Sequence, residues 1–146
     1  MKDQHERIGL GRCGELIARE YLEREGWDIL EQNWRVGAQG EVDLVVSRME
    51  DGYVPGERRK VVVFVEVKTR RGYSARNRPE ASVTYKKRKQ LIRLAHCWQQ
   101  QFNRGPDGFL REALSIRFDV ISVLYWKDQD ADVTHYQGAF DGSGVC

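Results

Sequence analysis

The chain has 146 residues, a mass of 17.0 kDa and a formal net charge of +2. This length suits one domain with its own core, and 40% hydrophobic residues argue against disorder, so we expect a single domain over residues 1–146. The first ten residues lack the apolar segment of a signal peptide, and no apolar run reaches the length of a membrane span. Three widely spaced cysteines show no zinc-ligand spacing, so we expect reduced thiols and a cytoplasmic protein.

The small net charge hides an uneven distribution. Between Arg58 and Arg93 there are thirteen Lys or Arg residues and two acids, whereas the rest of the chain is net negative. Such asymmetry favours a polyanionic partner that approaches one side of the molecule. A solvated basic helix and loop without a partner explains the same count equally well. The charge distribution alone does not decide between these two interpretations.

Hydrophobic periodicity predicts that the chain begins with an amphipathic helix. The segment "GELIAREYLEREG" ends at Gly26, a natural helix stop, and carries one stripe of core residues, Ile17, Ala18, Tyr21 and Leu22. Glu15 lies at the margin of this stripe on a helical wheel. The next segment, "WDILEQNWRV", is a plausible first strand and is followed by the turn-forming "GAQG".

A second strand is predicted from the alternation in "EVDLVV". Glu41, Asp43 and Val45 share one face of this strand, and the intervening apolar residues share the other. The polar segment "SRMEDGYVPGERRK" follows it and contains D-G and P-G turn signals. We therefore expect this segment to be a hairpin loop.

The third strand, from Val61 to Arg70, begins with five strand-forming residues and ends with charged ones. Glu66 and Lys68 are two positions apart, so they point to the same face of the strand. If the second and third strands pair as an antiparallel hairpin, Asp43 lies roughly opposite Glu66. The two acids would then meet at the open end of the hairpin.

A long second helix is predicted from "SVTYKKRKQLIRLAHCWQQQF", with Ser82 or Thr84 as its N-cap. Its core face consists of Leu91, Leu94, Ala95, Trp98 and Phe102. Its opposite face is basic and carries Lys86, Lys89 and Arg93. Two final strands are predicted from "IRFDVISVLYW" and "VTHYQGAF". The order of helix, three strands, helix and two strands is typical of a mixed α/β sheet flanked by helices.

The N-terminal segment "GLGRCG" matches the letters of a dinucleotide-binding fingerprint. That motif works only after a strand that directs its turn at the pyrophosphate, and here only eight residues precede it. We therefore reject dinucleotide binding. Gly11 and Gly14 are better explained as positions where the helix approaches the sheet or a ligand closely.

Four ionisable residues are predicted to gather at one end of the sheet: Glu15, Asp43, Glu66 and Lys68. Buried carboxylates are unfavourable unless they are paired or bound to a cation. One acid with one lysine would be explained by a structural ion pair. With three acids a single lysine is too little, and a divalent cation is the better counter-charge. Carboxylate oxygens suit Mg²⁺, which can activate a water molecule for attack on a phosphate.

These residues and their order resemble a known nuclease pattern. An Asp, an E-x-K motif after a hairpin and a Glu on a preceding helix are similar to the PD-(D/E)xK superfamily, which has a restriction-endonuclease-like fold. The helix Glu is most similar to archaeal Holliday-junction resolvases. The closer resemblance, along nearly the whole chain, is to the YraN-like family of small bacterial proteins. It rests on "GRCGELIAREYLEREGWDILEQNWR", "GEVDLVV", "VVFVEVKTR", "SVTYKKRKQLIRLAHCW", "RFDVISV" and the late "AF".

The resemblance implies a role for each matching residue. Asp43 and Glu66 would hold Mg²⁺ or Mn²⁺, with the carbonyl of Val67 as a further ligand. Lys68 would be the catalytic lysine. Glu15 would bind the metal or a water molecule from the first helix. The resemblance also implies a restriction-endonuclease-like mixed sheet of about five strands flanked by helices.

A further lysine and a set of basic residues complete the expected site. The family's lysine at the start of the long helix falls on Lys87, which lies nearer the core stripe than Lys86 and so could point inward. Contacts to a nucleic-acid backbone are expected from Arg70, Arg71, Arg76, Arg78, Lys86, Lys89 and Arg93.

The expected function is a metal-dependent nuclease acting on DNA, including branched DNA in repair or recombination. A rival interpretation is a non-catalytic nucleic-acid-binding module that keeps the fold, because fold does not fix function. A third is an accessory protein of a larger complex. The resolvase likeness also suggests a homodimer. The segment from Arg48 to Lys60 is longer than is usual in the family that the chain resembles, and the resemblance offers no role for it.

Overall fold

The computed structural model describes residues 9–72, 81–107, 114–126 and 131–142. In these ranges the chain forms two helices and five strands in the predicted order: α1 (Leu10–Arg24), β1 (Asp28–Arg35), β2 (Glu41–Asp51), β3 (Arg58–Gly72), α2 (Tyr85–Phe102), β4 (Leu114–Trp126) and β5 (Asp132–Phe140). The strands form one sheet in the order β1-β2-β3-β4-β5, in which only β3 and β4 run parallel. The predicted mixed α/β fold is confirmed and is consistent with the restriction-endonuclease-like class. Neither helix is long and apolar enough to cross a membrane in these ranges.

The core lies on both faces of the sheet because β3 is covered on each side. Val61, Val63 and Val65 pack in the cluster that includes α1, whereas Val62 and Phe64 pack in the cluster that includes α2. A strand buried on both faces does not alternate, which explains the run of five apolar residues. Each such side chain contributes about 1.5–3 kcal/mol relative to an exposed one. The charged end of β3 therefore follows directly on the buried run of the same strand.

Helix α1 approaches β3 closely at Gly14. A Cβ atom at this position would overlap Thr69 Oγ1 and lie 2.8 Å from Thr69 Cβ, so the contact requires glycine. At Gly11, by contrast, a Cβ atom would meet nothing within 4 Å among the described residues. The expected close approach to the sheet is thus found at Gly14. Because Glu15 is the next residue, this contact brings a carboxylate of α1 toward the end of β3.

The hairpin between β2 and β3 is longer than predicted. The sequence predicts a loop over residues 47–60, but β2 continues to Asp51 and β3 begins at Arg58. The prediction is wrong because the ladder continues through oppositely charged residues that face each other, such as Asp51 and Arg58. Cross-strand charge pairs of this kind stabilise neighbouring strands. Only residues 52–57 form the turn.

Helix α2 begins at one of the predicted caps. The Thr84 side chain accepts a hydrogen bond from the Lys87 N–H at 3.2 Å, which satisfies a free amide of the first turn. Four residues of the predicted core face are buried, namely Leu91, Leu94, Ala95 and Trp98. Phe102 is also predicted there, but it is 49% exposed because the helix ends at this residue.

A buried polar cluster lies on the face of the sheet that α1 covers. Asp119 of β4 accepts hydrogen bonds from Arg117 Nε at 2.8 Å and from the Gly138 N–H at 2.9 Å. His135 Nε2 lies 2.7 Å from the same carboxylate, and His135 Nδ1 lies 3.1 Å from Tyr21 Oη. Both oxygens of Asp119 therefore have partners within the chain. Sequence analysis did not predict this cluster.

Candidate metal and nucleic-acid site

The pairing of β2 with β3 brings two acids to one end of the hairpin. Leu44 pairs with Val65 in this antiparallel ladder, so Asp43 and Glu66 are the next residues beyond that pair. The backbone N–H of Val67 donates a hydrogen bond to Asp43 Oδ2 at 2.8 Å. The Asp43 carboxylate is therefore held beside β3, as the strand alternation predicts.

Both acids have raised pKa values. Burial is the largest cause for Asp43, and together with the negative charge of Glu66 it raises the pKa of Asp43 from 3.8 to about 7. The hydrogen bond from Val67 opposes this shift, and the charge of Glu15 adds to it. Burial also raises the pKa of Glu66, against the lowering effect of Lys87 and other nearby groups. The chain itself thus compensates these negative charges only in part.

Two lysines lie next to these acids but serve different contacts. Lys87 Nζ lies 3.7 Å from Glu66 Oε2, so Lys87 points inward to the site from the first turn of α2. Lys68 Nζ donates to the backbone carbonyl of Ser82, just before α2, while its charge still lowers the pKa of Glu66. Among the described residues Glu66 Oε2 is buried without a hydrogen-bond partner.

Glu15 reaches the site from α1 and meets an acid that sequence analysis did not assign. Ligand atoms of Glu15, Glu41 and Asp43 all lie within 4.8 Å of one another. Glu41 is also paired with Arg35, whose Nε lies 2.6 Å from Glu41 Oε2. The signal for Glu41 was available, because alternation places it on the same strand face as Asp43.

Asn33 of β1 is the second residue that sequence analysis missed. With its amide oriented by its partners, its side-chain nitrogen lies 3.0 Å from Glu15 Oε2 and 2.7 Å from Glu41 Oε1. Its φ is 51°, a left-handed conformation that Asn adopts more readily than most residues. No pattern in the sequence indicates this conformation, so the link between α1, β1 and β2 emerges only from the fold.

The residue types at the site fit a hard divalent cation. Carboxylate and carbonyl oxygens are the ligands that Mg²⁺ prefers, and the partly compensated acids supply the negative charge. Glu15, Glu41 and Asp43 are close enough for one ion. Glu66, which was expected to share the ion with Asp43, is not one of these three, although its charge raises the pKa of Asp43 more than any other charge does. Val67 is in contact with Asp43 through its N–H.

The residues expected to contact nucleic acid lie on two elements. Arg70 and Arg71 are exposed near the end of β3, and Lys86 and Arg93 are exposed on α2, where Lys89 is half-buried. Arg76 and Arg78 lie outside the described residues. Along the sequence, the basic residues of β3 come just before residues 73–84, and those of α2 come just after them.

The mixed five-stranded sheet, with acids where β2 begins and near the end of β3, is consistent with the restriction-endonuclease-like class of α/β proteins. The chain belongs to the uncharacterised protein family UPF0102, whose family model matches residues 14–123. A UPF0102 protein of Syntrophotalea carbinolica is 39% identical over 96% of this chain and 98% of its own length. UPF0102 protein SCO5602 of Streptomyces coelicolor is 38% identical over 93% of this chain and 92% of its own length. The family resemblance predicted from the sequence is confirmed.

Proposed function

We propose that the protein is a metal-dependent nuclease that cleaves phosphodiester bonds of DNA, with branched repair or recombination DNA as the first substrates to test. The observation that carries this proposal is the pair Asp43 and Glu66, two half-buried acids that the pairing of β2 with β3 brings together, with raised pKa values and incomplete compensation within the chain. A purely structural pair of acids would be expected to have its own partners.

Asp43 and Glu66 would hold Mg²⁺ or Mn²⁺, supported by Glu15 and by the carbonyl of Val67. A divalent cation there would supply charge neutralisation at the phosphate and a lower pKa for an attacking water molecule. The Val67 N–H fixes the orientation of the Asp43 carboxylate. Since Glu41 offers a carboxylate oxygen within 4.8 Å of ligand atoms of Glu15 and Asp43, we include it as a further ligand.

The lysines of the site would act on the substrate and on the acids. Lys87 holds positive charge beside Glu66, which keeps that carboxylate closer to its ionised form. Lys68 would orient the attacking water or stabilise the charge that develops on the phosphate. The basic residues of β3 and α2 would bind the DNA backbone, so affinity should fall steeply with salt.

Cleavage assays with matched variants test this proposal. Labelled single-stranded, duplex, flapped and four-way DNA are incubated with Mg²⁺, Mn²⁺ or EDTA, using wild type, Asp43→Asn, Glu66→Gln and the control Asp132→Asn. Asp132 is an exposed acid of β5 that bonds only to Trp126 Nε1 among the contacts described, at 2.7 Å. We expect metal-dependent cleavage that falls by about 100-fold or more in the first two variants and is unchanged in the third.

Three outcomes would contradict the proposal in different ways. Cleavage that persists in both Asp43→Asn and Glu66→Gln would show that the reaction occurs elsewhere. Salt-dependent DNA binding without cleavage of any substrate would favour the non-catalytic binding module. An absence of DNA binding would leave the accessory protein as the better interpretation.

A further inference from the structure

An exposed aromatic residue lies at the start of the basic surface of α2. Tyr85 is the first residue of this helix, and its side chain is 53% exposed. Its ring centroid lies 5.5 Å from Lys89 Nζ and 6.0 Å from Arg88 Cζ. These two cations follow Tyr85 by four and three residues, so they share its side of the helix. The ring is thus flanked by positive charge while a large part of it faces solvent.

The first turn of α2 presents different residues to the acids and to solvent. At about 100° per residue, Lys87 lies about 200° from Tyr85, which agrees with its contact to Glu66. Lys86, Lys89 and Arg93 lie within about 100° of Tyr85 on the outward side. Lys68 also contacts the Ser82 carbonyl, three residues before Tyr85. The aromatic ring therefore lies on the basic surface of the first turn of α2, on the side of the helix that faces away from the acids.

The charge around Tyr85 selects the kind of ligand that its ring can accept. The first turn of α2 contains no acid, and four successive cations run from Lys86 to Lys89 at the helix end that carries positive partial charge. This arrangement is unfavourable in isolation and disfavours a cationic ligand. A nucleotide suits both the exposed ring and the excess of positive charge, because its base can stack on the ring while its phosphate neutralises the lysines.

The stacking partner must be a base that is free to leave the duplex. In paired DNA the base faces are covered by neighbouring base pairs, so a surface tyrosine reaches only unpaired or extruded bases. We propose that Tyr85 stacks on an unpaired base of the substrate on the outward side of the first turn of α2, and that this selects flapped, branched or single-stranded DNA over continuous duplex. This inference rests on the proposed function and adds a substrate class and a specificity residue to it.

Binding experiments without divalent cations separate this inference from catalysis. Wild type, Tyr85→Ala and Tyr85→Phe are titrated in EDTA with flapped DNA carrying 2-aminopurine at the unpaired position, and with fully paired duplex of the same sequence. Tyr53→Ala is the matched control, because Tyr53 is 88% exposed and its ring lies 4.4 Å from Arg59 Cζ, but it belongs to the hairpin turn.

We expect Tyr85→Ala to weaken binding of the flapped DNA by about 10-fold and to abolish quenching of the 2-aminopurine fluorescence. Binding of the duplex should change by less than about 2-fold in the same variant, because a paired base offers no free face. Tyr85→Phe keeps the ring and should retain both affinity and quenching. Tyr53→Ala should behave as wild type on both DNAs.

Other outcomes would overturn either the stacking inference or the proposed function. Equal losses on flapped and duplex DNA, or a loss in Tyr85→Phe, would show that Tyr85 acts through its hydroxyl or through the helix and not by stacking. Unchanged binding in Tyr85→Ala, with tight binding by wild type, would overturn the stacking inference alone. If wild type binds neither DNA, the proposed function itself fails.

Discussion

Two aspartates of the same sheet, the buried Asp119 and the half-buried Asp43, differ in how far the chain compensates their charge. Asp119 is 1% exposed, and burial raises the pKa of this carboxyl, but bonds from His135, Arg117 and the Gly138 N–H more than offset burial and hold it below its ordinary value. Asp43 accepts a hydrogen bond from one backbone N–H, and burial together with the negative charge of Glu66 raises its pKa to about 7. The charge of Asp119 is therefore compensated within the chain. The charge of Asp43 is compensated only in part, which is the state expected of a residue that binds a ligand.

The largest effect is expected when Asp119 loses its charge. In Asp119→Asn, Arg117 and His135 lose the carboxylate that they contact, and removing one member of a buried ionic cluster costs about 3 kcal/mol or more. Urea denaturation at pH 7 would measure the fall in the free energy of unfolding. The far-ultraviolet spectrum of the folded variant should remain that of wild type.

Asp132→Asn provides the control for that substitution. It makes the same chemical change one strand away, at an exposed residue whose amide oxygen can still accept from Trp126 Nε1. We expect a change below about 0.5 kcal/mol. Similar losses in the two variants would show that Asp119 is not a special structural site, and the contrast with Asp43 would disappear.

The same substitution at Asp43 should change the free energy of unfolding in the opposite direction. Asp43→Asn removes a charge that burial and Glu66 disfavour, while the amide oxygen can still accept from the Val67 N–H. In EDTA at pH 8 we expect the free energy of unfolding to rise by about 1–3 kcal/mol, since one pKa unit corresponds to about 1.4 kcal/mol and part of the shift is relieved by solvent.

Glu15→Gln sharpens this second prediction. Glu15 also raises the pKa of Asp43, but it is a smaller cause than Glu66. Its neutralisation should therefore stabilise the metal-free protein by less than Asp43→Asn does. A loss of stability in Asp43→Asn would mean that the carboxylate is already compensated within the chain, as Asp119 is, and would remove the main support for a cation site.

The partial compensation of Asp43, one side of the contrast with Asp119, could be predicted from particular sequence patterns. Strict alternation around Asp43 and the position of Glu66 after an apolar run were sufficient to predict that the two acids meet. The same reasoning ended β2 too early and began β3 too late, because it treated charged residues as loop formers and could not know that Asp51 would face Arg58. The strand propensity of a residue does not show which residue will pair with it on the neighbouring strand.

The remaining differences depend on long-range contacts. An Asp within the apolar run "RFDVISV" could have been recognised as a buried polar residue, but its partner His135 is 16 residues away on another strand. Asn33 joins Glu15 and Glu41 only because β1 and α1 converge on the start of β2. Sequence periodicity assigns a face to each residue, whereas these contacts require knowledge of which faces are neighbours.

The smallest predicted effect is a pH dependence that Asp43 and Asp119 contribute with opposite signs. Asp43 has a folded pKa of about 7 and an ordinary value of 3.8, so the folded state keeps its proton longer than the unfolded state. Stability from this group therefore falls as pH rises, by about 1 kcal/mol between pH 6 and pH 8 in EDTA. The pKa of Asp119 is lowered, so its contribution is constant in this window and is lost only in acid.

Saturating Mg²⁺ or Mn²⁺ should reverse this trend, because a cation that binds ionised carboxylates stabilises the folded state more at pH 8 than at pH 6. Thermal unfolding of wild type and Asp43→Asn, with EDTA or with the metal at both pH values, measures the effect. We expect the metal-induced shift at pH 8 to exceed that at pH 6 in wild type and to be much reduced in the variant. A metal-induced shift of equal size in both proteins would locate the cation at other residues, and Asp43 would then be only a strained acid at the end of the hairpin.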